Sequence, residues 1–435
     1  MGEVVISTRS SFLRGARGTR SRNLMNITIP TRRILKPSSI SMLAVSASLA
    51  AWLFPTFGVL KKGFDTPSRL DPYSVVLLAC WYMLIFTSFF LGQKTAGLWV
   101  LSYRYKPTSR LLGLESNPIY LGFTLISALG LGAMVTAIVR NMSFAQMILF
   151  VSLGESNALR ETAYEGYHIG IVSLRYIVLY PASVALYRII RLRKYSLLNI
   201  FNVLMLAVLT FLSFRLILMA ALVTTSLLVT FDRESVKLSV AKLVLVASSL
   251  FLILSVLNLS RNADYYARNN LSFGLAGLNE IVAYLGTPFQ VAVGAANVTD
   301  QLVAQGPGDP AHWTEPYRYY VDIGPNYNTN SAFVALHQQM GYWCWPYIAM
   351  LCSFMGAVFR LMTSFGKTYF LLPCGAILYA STEFWRLDLF QQGTFIIWFV
   401  IGIGLPASLL LAEHLWTIAG TRVHRAVTRV SENKI

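Results

Sequence analysis

Four arginines lie inside or beside apolar runs, where a charge is expensive: Arg175 in HIGIVSLRYIVLYPA, Arg215 in TFLSFRLILMAAL, and Arg261 and Arg268 in NLSRNADYYARNN. On insertion scales an arginine at mid-membrane costs about 2.5–3.5 kcal/mol. Such a residue either snorkels to the interface or has a partner that repays the cost. A planar guanidinium offers paired N–H donors to paired oxygens, the geometry that grips a diphosphate. Arg215 has no acid within its own helical hairpin, which favours a phosphate-binding role for it.

A second stretch, IGPNYNTNSAFVALHQQMGYW, combines neutral donors and acceptors with flat rings. Asn328, Asn330 and Gln338 supply the amides, and Tyr327, Phe333, Tyr342 and Trp343 supply the faces. Sugars need both, because their hydroxyls require hydrogen bonds and their C–H faces stack on rings. An aromatic belt at the lipid interface would explain Trp343 and Trp345 equally well. His337 titrates near neutrality and could take a proton from a sugar hydroxyl. Glu155, Glu161, Glu165, Asp264, Asp300 and Asp322 are other candidate bases, and no spacing selects among them.

There is no HExxH, no glycine-rich phosphate loop and no Ser-His-Asp spacing. Cys80, Cys344, Cys352 and Cys374 all fall in apolar blocks without metal-type spacing, as small buried hydrophobes do. No metal and no cofactor is expected.

The elements that must position these residues follow from composition. Of 435 residues, 55% are hydrophobic and 13% charged. The charged share is about half the usual quarter, too little to cover a soluble protein of this size. The apolar residues cluster in blocks of roughly 17 to 22, the length of a membrane-crossing helix. The expectation is an all-α polytopic membrane protein with about ten transmembrane helices, over 40–60, 73–92, 118–139, 168–187, 197–213, 215–230, 243–260, 342–362, 368–384 and 394–412.

The net charge of +17 reports topology. With the N-terminus cytoplasmic, the loops on that side are 93–117, 188–196, 231–242 and 363–367, together with the tail. That side and its flanks hold 25 of the 36 basic residues and 6 of the 19 acids. The positive-inside rule then places both ends in the cytoplasm. The basic arm could also lie on anionic lipid. It carries no recognition fold, so no nucleic-acid partner is expected. The organisation reads as a basic arm over 1–37, helices over 38–260, a large periplasmic loop over 261–341, helices over 342–412 and a basic tail over 413–435. Within the loop, 278–298 is semi-apolar but broken by Gly286, Pro288 and Gly294, which suggests a re-entrant or interfacial helix pair.

Together these features resemble the oligosaccharide repeat-unit polymerases of O-antigen, capsule and exopolysaccharide synthesis. The residues that carry the resemblance are SFRLILMAALVTTSLL, YLGTPFQVAVGAAN at 284–297, and NTNSAF leading to GYW before a span. Gln338 and Gln339 depart from it, standing where an acidic residue is expected. The resemblance implies a metal- and nucleotide-independent glycosyltransferase with its active site facing the periplasm. It would move a growing glycan from undecaprenyl diphosphate onto the next lipid-linked unit, with a flippase and a chain-length regulator as partners. It implies that Arg215, Arg261 and Arg268, with Arg175, hold the diphosphate. His337 or an external acid would take the proton, and Asn328, Asn330, Tyr284, Tyr327 and Gln338 would contact sugar. A lipid-linked glycan ligase and a polysaccharide flippase or transporter share this hydropathy and stay open as alternatives.

Overall fold

The computed structural model describes residues 26–29, 34–55, 60, 62–102, 110–143, 145–146, 149, 169–212, 215–231, 236–239, 248–249, 251–252, 255–256, 273–305, 321, 323 and 330–432. Its helices are α1 (Pro37–Leu53), α2 (Pro72–Ser102), α3 (Asn117–Asn141), α4 (Leu179–Leu192), α5 (Leu197–Phe211) and α6 (Arg215–Phe231). They continue with α7 (Ala276–Ala296), α8 (Thr299–Gln305), α9 (Ala332–Met340), α10 (Cys344–Ser364), α11 (Leu371–Glu383) and α12 (Gly393–Glu432). A helical turn, Ile169–Val172, and a 3-10 stretch, Ser173–Val178, lead into α4. One short antiparallel pair joins β1 (Asn26–Ile29) to β2 (Val236–Ser239), with Asn26 opposite Ser239.

Local chemistry sets several boundaries. Proline opens α1 and α2, where its missing N–H costs nothing. The Ser196 hydroxyl accepts from Asn199 N and caps α5. α4 ends in a left-handed residue, Arg193 at φ 56°, and Lys194 N closes back onto the Arg188 carbonyl at 3.1 Å.

Five stretches are long and apolar enough to cross a bilayer: Pro72–Val100, Asn117–Asn141, Gly170–Leu192, Ala332–Ser364 and Gly393–Trp416. Three further apolar helices, Pro37–Leu53, Leu197–Thr210 and Leu216–Phe231, are shorter. Large apolar side chains stay exposed along one face of α3, at Leu121, Leu125, Leu129 and Val139. The same holds for Val76, Met83, Leu91 and Leu98 on α2. Exposure on that scale fits a lipid surround, and the architecture is compatible with an all-α membrane protein.

Three expectations change. The expected span over 368–384 is α11, thirteen residues and buried almost throughout. At 1.5 Å per residue it covers about 20 Å, short of a ~30 Å hydrocarbon core, and its uniform apolarity serves the interior of the bundle. The expected break over 278–298 is absent, because α7 runs unbroken through Gly286, Pro288 and Gly294. Pro288 cannot donate to the Tyr284 carbonyl, and Ser48 Oγ on α1 donates to the neighbouring Leu285 carbonyl at 2.7 Å. Gly286 helps by letting the α1 backbone come close to α7. The stretch after 412 continues α12 as helix to Glu432. Most of the expected span 243–260 lies outside the described residues, as does most of 140–167.

The tightest packing is between α2 and α10. A Cβ at Gly92 would overlap the Ser353 carbonyl, and one at Gly356 would stand 2.5 Å from the Phe89 carbonyl. These two glycines let the helix backbones touch, the small-residue packing that holds helices together in lipid.

The bundle has two chemically different ends. At one, Gly113 pairs with Thr368, Tyr369 N donates to the Leu112 carbonyl at 2.9 Å, and Lys194 faces Glu115. Arg188 is buried there and donates to the Leu114 and Ser116 carbonyls at 2.9 and 3.0 Å. This basic end brings together residues 110–117, 188–196 and 363–369, and β1 pairs residues 26–29 with 236–239.

Candidate functional site

Towards the other end, α7 is pinned to the 62–69 connection by three side chains on one face. Thr287 Oγ1 donates to the Lys62 carbonyl at 2.7 Å, Gln290 Nε2 to the Thr66 carbonyl at 2.8 Å and Asn297 Nδ2 to the Arg69 carbonyl at 2.9 Å. Gln290 Oε1 in turn accepts from Trp52 Nε1 at 2.7 Å and from Ser68 N at 2.9 Å. Buried backbone carbonyls need such donors. The polar letters of YLGTPFQVAVGAAN therefore fasten this helix into the bundle.

The same helix presents Tyr284 to a buried ion pair. Tyr284 Oη donates to the carboxylate of Glu383, the last residue of α11. Arg386 donates to Glu383 Oε2 from Nε at 3.1 Å and from Nη2 at 2.9 Å, and its guanidinium lies 4.6 Å from the centre of the Tyr284 ring. The side chains of Glu383 and Arg386 are 8% and 18% exposed. Removing two charges from water is repaid only when such hydrogen bonds surround them.

The connection that carries Arg386 also carries Asp388, 7% exposed. Asp388 Oδ1 accepts from Phe390 N at 3.1 Å and Oδ2 from Tyr347 Oη on α10 at 3.4 Å. Burial pushes its carboxyl up to about 6, against these hydrogen bonds, which favour the ion. The backbone of the connection reaches α9 as well, because the Ser331 hydroxyl faces the Trp385 carbonyl at 3.5 Å.

His337 sits on α9, fully buried among Trp81, Phe333 and Trp345. Its Nδ1 meets the Phe333 carbonyl at 2.7 Å, and Trp345 Nε1 donates to its Nε2 at 3.2 Å. Those partners fix a neutral ring protonated at Nδ1. Neighbouring Gln338 is buried, with Oε1 lacking a hydrogen-bond partner. Asn330 Oδ1 accepts from Ser331 N at 2.7 Å, at the start of α9.

The structure thus brings Tyr284 and the start of α9 to the connection 384–392, through Tyr284 against Trp385 and Ser331 against the Trp385 carbonyl, while His337 packs with Trp81 and Trp345. Arg175 is placed at the junction of α3 and α4. It is 1% exposed, donates to the Val172 carbonyl at 3.1 Å and to Tyr176 Oη at 3.0 Å, and its backbone N lies against Gly130. Arg215 is the first residue of α6, whose other end, Phe231, lies at the basic end. Arg261, Arg268, Tyr327 and Asn328 lie outside the described residues.

Glu383, Arg386, Asp388 and Tyr347 were not among the candidates drawn from the sequence. The signal was present in EFWRLDLF, three charges packed into an apolar connection between two helices. Comparisons with family models, with curated proteins and with solved structures return no match.

Proposed function

We propose that the protein is an integral-membrane glycosyltransferase that polymerises repeat units carried on undecaprenyl diphosphate, at the membrane face opposite the basic end. The observation that carries the reading is the buried group Tyr284–Glu383–Arg386 with Asp388 beside it. Ionisable residues held at such cost inside a membrane bundle mark function by default. The place of this group, away from the basic end, suits an amphiphilic substrate presented from that face.

In the reaction, the bond between the anomeric carbon and the diphosphate oxygen breaks, and its electron pair leaves with the lipid diphosphate. The acceptor hydroxyl oxygen bonds to that carbon, and its proton passes to a base. Arg215, at the start of α6, would stabilise the departing charge. Asp388, with its carboxyl near 6, is matched to receive the proton at neutral pH. The amides before and within α9, Asn330 and Gln338, would face sugar.

The lipid-linked glycan profile of cells carrying Arg215→Ala or Asp388→Asn tests this reading. Both variants should accumulate single repeat units while inserting normally. Full-length polymer from well-expressed Arg215→Ala would overturn the reading. Long polymer retained on the carrier lipid would move the assignment to a ligase.

A further inference from the structure

At the basic end, a cavity of about 1140 Å³ opens between the N-terminus of α1, the second half of α2, and the ends of α6 and α10. Four cations line it, Lys36, Lys94, Arg360 and Lys367, and among the described lining residues none is Asp or Glu. The rest of the wall is largely apolar, with Phe90 and Phe359 prominent. We propose that this cavity binds the phosphate headgroup of an anionic phospholipid in the adjacent leaflet.

Three features point to that occupant. Like charges gathered around one cavity repel one another, and an anion among them relieves the repulsion. The positive pole of α1 adds to the field, because Ser38 and Ser39 of its first turn also line the cavity. The guanidinium of Arg360 has room because residue 97 is glycine, where an added Cβ would lie 3.4 Å from Arg360 Nε.

The shape separates a lipid from a free anion. The volume exceeds what inorganic phosphate fills and falls near the upper range of small-molecule pockets. Its rim is lipid-facing: Phe90 is 44% and Leu98 68% exposed on α2. Lys94 Nζ rests 5.4 Å from the centre of the Phe90 ring, an ammonium at the edge of an apolar slot. Basic pockets between membrane helices recognise phospholipid headgroups by this combination of charge and apolar wall. The site is separate from the Glu383–Arg386 group and does not depend on the reaction proposed there.

The experiment is lipid binding to the purified full chain in detergent, followed by native mass spectrometry and thermal shift. Phosphatidylglycerol, phosphatidylcholine and inorganic phosphate are the probes. Phosphatidylglycerol should bind and raise the melting temperature, and the other two should do so weakly. Lys94→Gln with Arg360→Gln should weaken phosphatidylglycerol roughly 25-fold, at about fivefold per cation. Arg193→Gln, which removes one charge at the same end but outside the cavity, should leave binding intact. Lys94→Arg with Arg360→Lys keeps the charge and should keep binding, which covers the case of a poorly folded neutral pair. Equal binding of the two lipids, equal loss from Arg193→Gln, or inorganic phosphate matching phosphatidylglycerol would overturn the proposal.

Discussion

The phenol of Tyr284 donates to both carboxylate oxygens of Glu383, at 3.0 and 2.8 Å, from a helix separated from it by about a hundred residues of chain. Arg386 completes the group from the next turn of the connection. Removing Arg386 alone leaves a buried carboxylate with one neutral donor. Arg386→Met should cost about 3–5 kcal/mol, and Glu383→Leu added to it should recover most of the loss. Thermal unfolding of the single and double variants in one detergent checks this. An Arg386→Met protein as stable as wild type would show that the pair contributes nothing.

Asp388 gives a pH signature. Its carboxyl rises from 3.8 to about 6 on folding, so between those values the folded chain binds more protons than the unfolded one. Stability from this group is therefore present below about pH 4 and is lost as pH rises through 6. The loss is about 3 kcal/mol at 1.36 kcal/mol per unit. Tyr347 on α10 donates to it from across the connection. Melting temperatures of wild type and Asp388→Asn across pH 4 to 7 should diverge in slope there, with the variant flat.

Arg188 ties the 110–117 connection to α4 through the Leu114 and Ser116 carbonyls and the Asn117 side chain, and it stacks on Tyr120 at 4.3 Å. Arg188→Met takes the guanidinium donors from the Leu114 carbonyl, while Ser116 keeps the Tyr369 hydroxyl, and should cost about 1–3 kcal/mol. Lysine should rescue little, because an ammonium cannot reproduce the flat fork. Proteolysis within 103–117 should accelerate in both variants.

The α2–α10 contact has no room for a side chain at Gly92 or Gly356. Gly92→Val should lower stability by about 3 kcal/mol or more, since backbone must move on both helices. Gly132→Ala on α3, where nothing stands within 4 Å, should be near neutral and serves as the control. Expression and melting temperature of the two variants provide the comparison.

Much of this protein could be read along the chain because the signals are additive and local. Apolar length marked α2, α3, α4, α10 and α12, and the basic residues Lys194 and Lys367 stand with Glu115 and Leu114 at one end. Tertiary structure alone decided what the polar letters do. Thr287, Gln290 and Asn297 stood in the sequence only as letters of YLGTPFQVAVGAAN, and they hold the carbonyls of Lys62, Thr66 and Arg69. Pro288 looked like a helix break, yet packing against α1 keeps the helix whole. Arg188 counted as a loop charge and proved to be a buried latch. Burial and partner are properties of distant pairs such as Tyr284 with Glu383. Periodicity reports only a residue's own neighbours, so those pairings stayed invisible until the helices were set side by side.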